Sequence, residues 1–149
     1  MVRARLIASA FAALALLAGC GDDGGDATGS VRVVDAYAPA TPNPVGVVYL
    51  TIVNDGDTDV TLVGAHIDGV RETVVHTTPF HTVGGQQPAG EVEVPAGTTR
   101  SLSPEGAHLM LIGVDGGLVV GDELHVELDF DGADDLTVVA PVVEDGTTP

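Results

Sequence analysis

From residue 31 onward the chain is written in short apolar segments dense in β-branched residues. They are VRVVDAY (31–37), VGVVYLTIVN (45–54), DVTLVGAHI (59–67), VRETVVHT (70–77), EVEV (91–94), TTRSLS (98–103), HLMLIGV (108–114), ELHVELDF (123–130) and LTVVAPVV (136–143). Segments of this composition at this spacing predict about nine strands. Alternation is clearest in the eighth, where Leu124, Val126, Leu128 and Phe130 share one face while His125, Glu127 and Asp129 share the other. Asp55-Gly56, Asp68-Gly69, Pro95-Ala96-Gly97, Asp115-Gly116 and Asp131-Gly132 supply the turn chemistry between segments. No stretch carries a helical period. The expectation is an all-β domain over residues 31–143, an antiparallel Greek-key sandwich of two sheets.

The first residues follow a different pattern. Arg3 and Arg5 precede an apolar run from Leu6 to Gly19 interrupted by Ser9, too short to span a bilayer and read instead as an export signal over residues 1–19. It ends in Leu17-Ala18-Gly19-Cys20, which resembles a bacterial lipobox. The resemblance implies that Cys20 becomes the first mature residue and carries lipid, tethering an extracytoplasmic protein to the outer face of the cell membrane. GDDGGDATGS (21–30) has the small, acidic composition of a flexible tether, so residues 20–30 read as lipidated cysteine plus linker. EDGTTP (144–149) has nothing to bury and reads as a frayed, disordered tail.

Charge narrows the partners. The 149 residues carry 5 Lys+Arg, all arginine, against 22 Asp+Glu, for a formal charge of −17. Removal of residues 1–19 leaves Arg32, Arg71 and Arg100 opposite all the acids. Such a chain lacks the basic face that nucleic acid requires, and its field attracts cations. Cys20 is the single cysteine, which excludes an internal disulfide and, once acylated, a thiolate metal site.

Candidate chemistry is sparse. Asp55, Asp57 and Asp59 alternate as the opening of a calcium loop would, but Val60 stands where the sharp-turn glycine is needed and His66 where the closing acid is needed. Ser30, Ser101 and Ser103 lie in no nucleophile-elbow context. No enzyme constellation is complete. What remains is His108-Leu109-Met110 at the start of an apolar strand: positions i and i+2 point to one side, so an imidazole and a thioether can face one metal together. A thioether favours copper(I); imidazole accepts both copper states and zinc. His76 and His81 cluster at the end of another strand and in the loop after it. His66 and His125 belong to no motif and read as surface residues.

The order of segments is similar to the periplasmic copper(I) chaperones of the PCuAC type: AYAPATPNPVGVVYLTIVNDG (36–56), VRETVVHTT (70–78), VEVPAGTTRSLSPEGAHLMLIGV (92–114) and GDELHVELDF (121–130). Their most specific parts are Tyr49-Leu50-Thr51-Ile52, the Pro95-Ala96-Gly97 turn and the run from Gly106 to Leu111. The resemblance implies a cupredoxin-like sandwich that holds copper(I) at an exposed rim. It also implies delivery to an acceptor metalloprotein such as the copper centre of a cytochrome oxidase. The site of that family comprises a His-x-Met, a lone Met and a second His-x-Met. Carried over, His76 matches the first histidine, with Thr78 in place of its methionine. The lone Met falls near Gln86 or Gln87, and His108 and Met110 match the second pair. The implied metal set is His76, His108 and Met110, with His81 as substitute fourth ligand. Loss of soft ligands admits copper(II) or zinc beside copper(I). The competing reading is a surface-tethered sandwich of the same fold that contacts another envelope protein without metal.

Overall fold

A computed structural model describes residues 30–77 and 90–147. The expected export signal over residues 1–19, Cys20, Thr78, His81, Gln86, Gln87 and the last two residues lie outside the described residues. Within them the chain forms β1 (Val31–Pro39), β2 (Val45–Asn54), β3 (Val60–Ile67), β4 (Val70–His76), β5 (Val92–Val94), β6 (Thr99–Leu102), β7 (His108–Val114), β8 (Glu123–Asp131) and β9 (Leu136–Val143), with no helix. The nine apolar segments and the nine strands coincide to within a residue or two at each end. β-Branched side chains pack well on a pleated surface, and Asp-Gly pairs supply the positive φ that ends a strand, as at Gly69 (φ 78°) between β3 and β4.

The strands pair along one path, β4-β7-β2-β1-β9-β8-β3-β5, with β6 also on β2. The path folds over on itself at β1, so two layers face each other and the sheet nearly closes into a barrel. β1 runs antiparallel to β2 from Val31 to Tyr37, then parallel to β9 at Ala38 and Pro39. That short parallel contact departs from the all-antiparallel expectation. Its origin is a bulge between Val34 and Tyr37, where Asp35 takes a φ of 54°, so one strand changes sheets. Asp is among the few non-glycine residues that tolerate this region.

Between the layers lies a core of Val48, Leu50, Ile52, Val75, Leu109 and Leu111 from one sheet and Leu62, Ile67, Val126, Leu128, Ala140 and Val142 from the other. Alternation in β8 is realised as the sequence predicts: Val126, Leu128 and Phe130 are buried while His125 and Glu127 are exposed. β2 is buried on both faces. Its outward Val47 and Tyr49 join Tyr37 in a second apolar cluster on the back of the first sheet.

One buried polar group ties the layers together. Asn54, at the end of β2, is fully buried; its amide nitrogen donates to the carbonyls of Thr58 (2.8 Å) and Val94 (3.0 Å), and its amide oxygen accepts from Gly56 N–H (3.0 Å). Val94 belongs to β5 in the opposite sheet, so one side chain joins the loop after β2 to that sheet. Asn54→Ala removes this partner from the buried Val94 carbonyl and is expected to destabilise the domain by about 2 kcal/mol, read as a lowered midpoint in urea unfolding.

Candidate metal centre

The position of the site follows from the core. In HLMLIGV, Leu109 and Leu111 are fully buried between the layers, so His108, Met110 and Ile112 take the other face of β7. β4 pairs with β7 so that Val75 meets Leu109 in the core and His76 lies opposite His108, with Val74 opposite Met110. On the other side of β7, Val47 lies opposite Met110 and Val48 opposite Leu109. One further step along that register brings Tyr49 to His108, and Tyr49 in turn pairs with Tyr37 on β1. The back of the sheet thus carries a row of four rings, His76, His108, Tyr49 and Tyr37, with Met110 one row below.

Geometry within the row is close. The two imidazoles meet edge to face, centroids 5.2 Å apart and planes at 81°, and the two phenol rings lie 5.4 Å apart. His108 has no exposed surface and His76 is 6% exposed. The implied exposed rim is therefore not what these two rings occupy. They are flanked by neighbouring strands and, on the His108 side, by the turn at Gly106. Met110 is half-buried and lies outside the core cluster. The structure brings together His76, His108 and Met110; His81 and Cys20 fall outside the described residues.

Both histidines are held neutral. Burial lowers the pKa of His76, and it lowers that of His108 more than a hydrogen bond to Gly106 raises it; the neighbouring His76 lowers it further. His108 Nδ1 lies 3.3 Å from the Gly106 carbonyl, which can only accept, so Nδ1 carries the proton and Nε2 the lone pair. His76 Nδ1 is buried with no hydrogen-bond partner among the described residues. A desolvated imidazole nitrogen without a donor is costly unless something coordinates it. The phenols are not anionic donors: burial raises Tyr37, and burial, then Tyr37 and Asp145, raise Tyr49. The row of tyrosines is absent from the ligand pattern in the sequence, although alternation of Val47 and Tyr49 marks that face.

The fold defines a class. The fold is that of the PCuAC domain: the apo PCuAC domain of PmoF1 superposes with a TM-score of 0.71 at 23% identity, covering 81% of this chain and 99% of that one. The copper(I) form of DR1885 from Deinococcus radiodurans matches with a TM-score of 0.58 at 28% identity, covering 74% of this chain and 76% of its own. More particularly, the family described as "Putative lipoprotein LpqE-like" matches residues 31–142, and the chain belongs to this LpqE-like family. The "Putative lipoprotein Lxx21020" of Leifsonia xyli subsp. xyli is 29% identical over 116 residues, 75% of this chain and 69% of its own length.

The lowered histidine pKa values carry a sign. An imidazole that titrates at roughly 6.5 when unfolded and lower when folded binds more protons in the unfolded state between those values. The stability it contributes is whole above about pH 6.5 and is lost as pH falls through the folded pKa. Urea unfolding of the metal-free domain is expected to weaken as pH falls below about 6.5, and His76→Gln with His108→Gln to flatten that slope.

Proposed function

We propose that this protein is an extracytoplasmic, lipid-anchored copper chaperone that carries copper as cargo on His76, His108 and Met110 and releases it to an acceptor metalloprotein. The observation that carries the reading is the convergence of two neutral imidazoles across the β4–β7 pair, with a thioether two residues along the same face. The copper-bound state of the similar DR1885 supports it.

The donors fit the ion. His108 offers the Nε2 lone pair because Gly106 fixes its tautomer, and His76 offers a buried nitrogen that meets no partner among the described residues. Met110 contributes the soft sulfur that favours copper(I) over harder ions. His81 is the fourth ligand in this reading, with copper(II) and zinc as weaker competitors. No bond in a substrate is made or broken. Transfer proceeds by stepwise exchange: an acceptor's ligands first displace the half-buried Met110, then the two imidazoles. A cytochrome oxidase copper centre is the acceptor class the resemblance favours.

Under reducing conditions the mature chain is expected to bind about one copper(I), with His108→Ala plus Met110→Ala weakening binding by at least about a hundredfold in a competition titration. Unchanged binding in the double variant rejects the site. Absence of copper binding in the parent chain favours the non-metal envelope module instead. The anchor is tested separately: Cys20→Ser is expected to move the protein from the membrane fraction to the soluble extracytoplasmic fraction without changing copper affinity.

A further inference from the structure

The histidine row continues downward into two further rows on the back of the first sheet. His76 lies opposite His108, Val74 opposite Met110 and Glu72 opposite Ile112; on the other side of β7, Val47 lies opposite Met110 and Val45 opposite Ile112. Val48, Val75, Leu109 and Leu111 fill the core between these positions, so the two-residue period puts the alternate side chains together on the outer face. Below the histidines come Val74, Met110 and Val47, then Glu72, Ile112 and Val45. There the pattern stops. Gly113 takes a φ of 77°, and the Pro44 carbonyl accepts from both Gly113 N–H (2.8 Å) and Val114 N–H (3.0 Å), a bulge that returns Val114 to the core.

Exposure rises from row to row. His76, His108 and Tyr49 are buried. In the middle row Val47 is buried while Val74 and Met110 are half-buried; in the last, Ile112 is half-buried, Val45 is 39% exposed and Glu72 is exposed. A group arriving from outside therefore meets Val45 and Ile112 first, the sulfur of Met110 next and the imidazoles last.

We propose that this stepped face is the docking surface for the copper acceptor, and that the acceptor presents an apolar patch bordered by Lys and Arg. The surface presupposes the copper reading and adds to it where the partner sits. Val45, Ile112, Val74 and Met110 form an apolar strip continuous with the donor set, and covering it excludes water from the ligands as they exchange. A strip of this extent suits a brief contact rather than a permanent complex. Its border is acidic: Glu72 ends the last row, exposed Asp115 follows β7 and Asp145 lies toward Tyr49. Arg71 is a cation at the lower edge, packed against Gly113. With a formal charge of −17 on the chain, a cationic border is attracted and a second copy is repelled.

The probe is the metal-free, soluble copper domain of a cytochrome oxidase, mixed with the mature Cys20→Ser chain loaded with copper(I). Bicinchoninate, a small chelator that needs no docking surface, serves as the parallel acceptor. Val45→Ser with Ile112→Ser is expected to slow transfer to the domain by at least about tenfold. Copper(I) affinity and the rate of loss to bicinchoninate are expected to stay at the parent's values. Val45→Ser with Glu72→Lys alters exposed side chains only and is expected to slow transfer in the same way, whatever Ile112 contributes to folding. The parent's transfer rate is expected to fall as salt is raised, since opposite charges steer the encounter. Val139→Ser, at an exposed valine outside β9 in the other sheet, is expected to transfer like the parent. Unchanged transfer in both double variants overturns the surface, as does an equal loss in the Val139 variant. A rate indifferent to salt overturns the cationic border. Self-association of the parent that Val45→Ser with Ile112→Ser abolishes gives the face to a second copy and overturns the acceptor. A parent that holds copper(I) and passes none to the domain overturns the assigned partner alone; one that holds no copper(I) in the titration before mixing overturns the copper reading and this surface with it.

Discussion

Burial of Leu109 and Leu111 between the two layers governs the arrangement of the histidine pair. A strand has a two-residue period, so a slip of one residue in β7 would drive His108 and Met110 into the core and expose two leucines. Each fully buried leucine contributes roughly 1.5–3 kcal/mol, enough to hold the register against alternatives. Given that register, His108 must face outward. The pairing of Val75 with Leu109 then obliges His76 to lie beside it. The same constraint places Tyr49 on the far side of His108 and Met110 one row below.

The consequence for chemistry is a desolvated pair of nitrogen donors rather than a solvent-washed one. Low local dielectric disfavours the imidazolium form, so the rings retain their lone pairs under conditions where exposed histidines begin to protonate. The Gly106 carbonyl selects the tautomer of His108, a role that depends on the tight turn between β6 and β7, where Gly106 N–H in turn donates to Ser103 O at 3.0 Å. Sulfur from Met110 adds the softness that distinguishes this face from an ordinary histidine patch. The tyrosines on the far side of His108 contribute apolar area and remain neutral.

The outer faces of the two sheets differ in chemistry. On the back of β4, β7 and β2 lie imidazole and thioether; on the outside of β3 and β8 lie imidazole and carboxylate. Both follow from the alternation required to fill the single core between the layers. Asn54 couples the layers at the end of β2 by bonding to the β5 carbonyl of Val94, and the Asp35 bulge lets β1 belong to both sheets.

The strands, the two faces of β8 and the shared side of His108 and Met110 were legible in the sequence, because each is a local property: β-branched density, a two-residue period and Asp-Gly turns act within a few residues. The parallel contact of β1 with β9, the role of Asn54, the burial of His76 and His108 and the meeting of Val45 with Ile112 were not, because each depends on which strand lies beside which and in what register. Those choices are made by burial of the whole core at once, and no single segment contains the information. Sequence by itself determined which side chains could serve as donors and which of them share a side of their strand. Tertiary pairing decided which donors became neighbours, how far they were withdrawn from water, and therefore which protonation state they favour.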